Sequence, residues 1–179
     1  MAMLPRQSLP RIWMMTDERQ GSGVVGAVRN LPQGGGVVFR HYSLAEAERR
    51  ALFDEVLAEA RGRGLTVLLG GLRSEGELWG ADGGHGWGSG GGLRSVSVHN
   101  LREMRLAEAE GADLLFVSPV FPTRSHPGGK VLGPHRFAQL AAQARRPVIA
   151  LGGVTQVNAG KLLRLGAYGW AGIDAWTPA

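Results

Sequence analysis

Three times in this chain a helix-like stretch ends on the same kind of junction: Gly80-Ala81-Asp82, Gly111-Ala112-Asp113 and Gly166-Ala167-Tyr168. Glycine supplies the left-handed conformation that closes a helix, and a small alanine lets the chain enter a sheet closely. After the second junction comes the apolar run Leu114-Leu115-Phe116-Val117. A recurring helix-then-strand unit predicts a parallel sheet covered by helices.

The strands predicted from this pattern are Ile12–Met15, Val37–Arg40, Thr66–Leu69, a weak one at Ala81–Gly84, Ser95–Val98, Leu114–Val117, Val148–Leu151 and Tyr168–Ile173. Between them, residues 43–61 place Leu52, Phe53, Val56, Leu57 and Ala60 on one helical face. Ser43 and Glu46 are spaced as a capping box, Asn100 with Glu103 opens a second helix, and Thr155 caps a third. Eight strands with intervening helices predict an α/β fold, a compact (β/α)8 TIM barrel in one domain over residues 1–179. An open doubly wound sheet is the alternative. The chain offers roughly 22 residues per unit, well below a typical barrel of ~250 residues. Helices should therefore be short or missing around strands three to four (72–80 and 85–92) and after strand eight.

Composition excludes several classes. With no cysteine among 179 residues, disulfides, zinc ribbons and thiol nucleophiles are ruled out. Net charge is +5, from 20 Lys and Arg against 15 Asp and Glu, but the arginines are scattered along helices. They read as a solvated surface and not as a nucleic-acid footprint. No apolar stretch reaches the ~18 residues of a membrane span, and the N-terminus lacks the apolar core of a signal peptide. The expectation is a cytoplasmic protein with a small-molecule partner, no nucleic acid and no membrane; a homo-oligomer stays open.

In a parallel barrel, functional residues come from the loops after the strands. The stretch Ser118–Gly133, SPVFPTRSHPGGKVLG, is far longer than the usual 2–6-residue connection, and it carries hydroxyls, His126 and Lys130. It is expected to act as a lid over an anion, the plainer alternative being a rigid surface loop. Gly152-Gly153 precede Thr155 at a helix start, where bare backbone amides and the helix dipole suit a phosphate. Gly172 closes the last strand beside them. A tight turn is the alternative there. Residues 83–92, GGHGWGSGGG, read as a flexible spacer that includes His85 and Trp87. His99 and His135 read as braces at helix starts.

The stretches SVSVHNLREMRLAEAEGADLLFVSPVFPTRSHPGGKVLG and RPVIALGGVTQVNAGKLLRLGAYGWAGIDAW resemble the thiamin phosphate synthase and TenI family. The likeness is strong over 94–176 and weaker but collinear before it. It implies a (β/α)8 barrel acting in thiamin biosynthesis. The synthase joins a pyrimidine methyl diphosphate to a thiazole phosphate with magnesium; TenI relatives isomerise the thiazole phosphate. On this resemblance Ser97, Thr123, Ser125, Gly152, Gly153, Ile173 and Asp174 bind substrate or phosphate, joined by Gly172 from its place at the end of strand eight. Arg40, kept from the motif Q-L-R-E-K, and His126, in the place of a lysine, are the catalytic candidates. His41 and His85 are further sources of acid–base chemistry. The family's Asn-Asp after strand three is Gly70-Gly71 here, and its acid after strand four is replaced by glycines. Magnesium therefore stays open as a cofactor without its usual carboxylate ligands, and no other cofactor is implied. The expected function is that of a divergent thiamin phosphate synthase with a reduced metal site. A thiazole tautomerase and a non-catalytic phosphate-binding relative are the alternatives.

Overall fold

A computed structural model describes residues 9–71, 79–88, 91–125 and 127–176. Eight parallel strands close a barrel in sequence order: β1 (Ile12–Met15), β2 (Gly36–Phe39), β3 (Thr66–Gly70), β4 (Gly83–His85), β5 (Leu93–Val98), β6 (Leu114–Val117), β7 (Val148–Ala150) and β8 (Gly169–Gly172). The pairing of β1 with β8, Ile12 opposite Trp170, closes it and excludes the open sheet.

Alternation along the strands separates two cores. Trp13, Met15, Val38, Leu68, Leu114, Phe116, Ile149 and Ala171 fill the barrel interior. Their neighbours in sequence, such as Met14, Val37, Phe39, Leu115 and Val117, face outward against the helices. Phe116 meets Trp13 edge to face at 5.6 Å, a favoured geometry for two aromatic quadrupoles.

Five α-helices lie among the described residues: α1 (Val24–Arg29), α2 (Glu46–Gly62), α3 (Leu101–Ala109), α4 (Gly133–Gln143) and α5 (Gln156–Arg164). None is long and apolar enough to cross a membrane. The economy expected of so short a barrel is visible. Among the described residues no helix lies between β4 and β5, and a single 3-10 turn, Asp174–Trp176, follows β8. Of the 72–80 stretch, 72–78 lie outside the described residues.

Two of the three expected caps form. Asn100 accepts from the Glu103 amide at 2.9 Å and Thr155 from the Asn158 amide at 3.4 Å. The third does not. Helix α2 begins at Glu46 on Ala45 with no side-chain cap, because the Ser43 amide and hydroxyl donate instead to Glu18 at 3.1 and 3.2 Å. Thr155 sits between β7 and α5, so its loss frays the helix that leads out of the mouth. Thr155→Ala should lower stability by ~1 kcal/mol, the usual worth of such a cap, read as a shift in the urea midpoint. An unchanged midpoint would show that water replaces the hydroxyl without cost.

Candidate functional site

The loops leaving β2, β4, β5, β6, β7 and β8 converge on a cavity of about 420 Å³ at the C-terminal mouth of the barrel. It continues into two flanking recesses, one of about 340 Å³ beside β7 and β8 and one of about 410 Å³ beside β4. Arg40, Ser97, Thr123, Ser125, Gly152 and Ile173 line the central cavity; Gly153, Gly172 and Asp174 line the recess beside β7 and β8. Nine of the ten residues singled out from sequence are thus gathered at one mouth. The tenth, His126, lies outside the described residues.

The loop after β6 is anchored at its base. The Val120 amide donates to the Leu151 carbonyl and the Phe121 amide to that of Gly152, both at 2.9 Å. At its far end the Leu132 amide closes on the Pro119 carbonyl at 2.9 Å and the Gly133 amide on that of Val120 at 3.0 Å. Gly152 and Gly153 have φ of +92° and +62°, a region that glycine enters at little cost. Their missing side chains point at this loop. A Cβ on Gly152 would stand 2.7 Å from Pro119 Cα, and one on Gly153 would stand 2.8 Å from Phe121 Cβ and collide with the Pro122 carbonyl. The two glycines let the loop lie close over the start of α5.

A network of paired charges fixes the β1 and β2 side. Arg40 donates through Nε to the Thr16 carbonyl at 2.6 Å and through Nη2 to Asp17 at 3.0 Å. Asp17 also accepts from Arg19 at 2.7 Å. Burial opposes the charge on Asp17, but hydrogen bonds from Arg19 and the Arg19 and Arg40 charges outweigh it and hold the carboxyl below its usual value. Arg19 comes within 3.7 Å of Asp174 and donates to Ser125 at 3.4 Å. Asp174, exposed and facing a guanidinium, is therefore not aimed unpaired at an incoming anion. Arg49, which sequence reading passed over, is buried and donates to the carbonyls of Arg40 and Gly70 at 2.8 and 2.7 Å. It ties the ends of β2 and β3 together.

The glycine-rich stretch is the largest departure from expectation. Its start is β4, and His85 points into the barrel at 6% exposure, edge to face with Phe116 at 5.1 Å. Its Nδ1 lies 2.8 Å from Ser95 Oγ and its Nε2 lies 3.2 Å from Ser97 Oγ. Burial pushes the imidazole down to about 4, with the Arg40 charge adding to the effect, so His85 is neutral at physiological pH. His41 is also buried, with φ of +43°, and its Nδ1 meets Thr16 Oγ1 at 3.0 Å. Burial lowers its imidazole as well, against the pull of Glu18 and Asp17. His99 is more than a brace, since its ring meets the Ser118 carbonyl at 2.7 Å and lines the central cavity. His135 is exposed in the first turn of α4. The signal for His85 was the phase of the short strand, which period-2 counting cannot set in a three-residue run of which two are glycine.

No group of three His, Asp or Glu residues that could hold a metal ion occurs among the described residues. Gly71 borders the recess beside β4. The donors at this edge are imidazole, hydroxyl and backbone, a set that does not fit a hard, oxygen-seeking cation.

Residues 93–176 match the family model described as thiamine monophosphate synthase. The putative thiamine-phosphate synthase 2 of Aquifex aeolicus is 40% identical over 78 residues, 44% of this chain and 42% of that protein. The thiamine-phosphate synthase of Chlorobium luteolum is 42% identical over 90 residues, 50% of this chain and 42% of that one. The match to this chain thus spans less than half the length of these curated relatives. A solved thiamine phosphate pyrophosphorylase from Pyrococcus furiosus superposes with a TM-score of 0.78 at 26% identity, over 93% of this chain and 86% of its own. The matched stretch supplies the β6 loop and the β7 and β8 turns of the mouth, and the barrel is shared along nearly the whole length, so this chain is similar to the thiamin phosphate synthase and TenI family in sequence over residues 93–176 and in fold throughout.

Proposed function

We propose that the mouth binds a phosphorylated thiazole or pyrimidine and that the chain is a thiamin biosynthesis protein, a divergent thiamin phosphate synthase with a reduced metal site. The observation that supports this most is the convergence of Thr123, Gly152, Gly153 and the capped start of α5 on one recess. Backbone amides at a helix N-terminus, with hydroxyls and Lys130 across the cavity, complement a phosphate. Weak synthase turnover is the corollary. With no carboxylate lining the recess beside β4 among the described residues, little there neutralises the charge that develops on a leaving diphosphate.

The TenI-type reading keeps one observation in its favour, a neutral imidazole in contact with a serine at the cavity wall. A calorimetric and kinetic experiment separates the readings. Thiazole phosphate should bind saturably and be displaced by inorganic phosphate, while diphosphate release from the two synthase substrates should be slow and change little on chelation of magnesium. Fast release abolished by chelation would show an intact metal site, and failure of thiazole phosphate to bind would overturn the phosphate reading.

A further inference from the structure

The cavity is chemically lopsided. At its β7–β8 end lie the α5 amides and hydroxyls described above. The recess beside β4 is bounded by Tyr42, Gly71, His85, Trp87, Ser97 and His99, and contains no carboxylate, lysine or arginine among the described residues. His85 is held uncharged by its surroundings and is in contact with serines through both nitrogens. One bonding direction of Ser97 Oγ is thus committed to an imidazole. Arg40, which lines the central cavity, already donates to Asp17 and to the Thr16 carbonyl. A multiply charged anion in this recess would lose its hydration and meet no lysine or arginine among the described residues that bound it, which is costly. An uncharged planar group would instead meet the Tyr42 and Trp87 side chains and the remaining hydrogen-bonding capacity of Ser97.

We propose that the β4 recess is a specificity site for an uncharged, planar end of the ligand, and that the mouth accepts a ligand with one phosphate group and discriminates against a diphosphate. Ser97 then contacts the ring end and not the phosphate. This rests on the phosphate-binding part of the reading above and not on its synthase part, which needs a diphosphate to enter the mouth, and it assigns the two ends of the ligand to opposite ends of the cavity.

The test titrates the full chain with inorganic phosphate, pyrophosphate and thiazole phosphate, with and without magnesium. For the wild type, pyrophosphate should bind no more tightly than inorganic phosphate. Ser97→Ala should weaken thiazole phosphate about fivefold, the worth of one ordinary hydrogen bond, and leave inorganic phosphate within about twofold. Pyrophosphate binding tenfold or more above phosphate would overturn the proposal, and this comparison needs no variant to fold. So would a Ser97→Ala loss that is equal for phosphate and for the ester. Absence of binding by both phosphate and the ester would instead sink the phosphate reading itself, and this proposal with it.

Discussion

Gly153→Val should destabilise the protein by about 3 kcal/mol and abolish phosphate-ester binding at the same time, since two penalties coincide at this position. A β-branched side chain at φ +62° is strained whatever surrounds it. Its Cβ would also stand 2.8 Å from Phe121 Cβ and collide with the Pro122 carbonyl, backbone that cannot yield without lifting the loop. Because the Phe121 amide is bonded to the Gly152 carbonyl, lifting the loop breaks the contact that positions Thr123. Gly153→Ala, with the same strain but less bulk, should lose less. Urea denaturation gives the stability and calorimetry the affinity. A Val variant with a native midpoint that merely fails to bind would mean that the glycine serves the ligand and not the loop.

The second large effect is in pH. His85 ionises at about 4 in the folded protein, against an ordinary value of 6.5. Between those two values the unfolded chain takes up a proton that the folded protein refuses. The contribution of His85 is therefore fully present above pH 6.5 and is lost progressively as pH falls toward 4. The size is about 3 kcal/mol over the window, the free energy of a shift this large. His41, also lowered, adds to the loss in the same direction, and Asp17 and Glu18, lowered too, add theirs at the acid end. The contribution of His85 is isolated by comparison with His85→Gln, whose amide does not titrate. The stability difference between the two proteins should shrink steadily as pH falls from about 6.5 to about 4.5. Parallel profiles would show that the imidazole takes up its proton without leaving the barrel.

The barrel was legible because the features that define it are local. Gly111 and Gly166 end helices with φ of +86° and +99°, where the junction pattern placed them. Asn100 and Thr155 cap because their partners lie three residues away. Strand boundaries shifted by one or two residues, Val37–Arg40 becoming Gly36–Phe39. The location of the mouth followed from topology, since loops after parallel strands must meet at one end.

The chemistry inside the mouth was much less legible. Ser43 had the spacing of a cap but found Glu18, 25 residues away. Arg40 is a catalytic candidate from the sequence, but its pairing with Thr16 and Asp17, 24 and 23 residues distant, is not visible there. His85 looked like part of a spacer until β4 paired between β3 and β5 and aimed it at Ser95, Ser97 and Phe116. The sequence by itself determined the repeating unit, the number of strands and the end of the barrel that opens, because backbone propensity, side-chain period and capping act over a few residues. The tertiary structure alone decided which charges are paired, which imidazole is buried and neutral, and what a glycine leaves room for. Those depend on partners that only closure of the barrel brings within a few ångströms, where the loss of water sets whether a group keeps its charge.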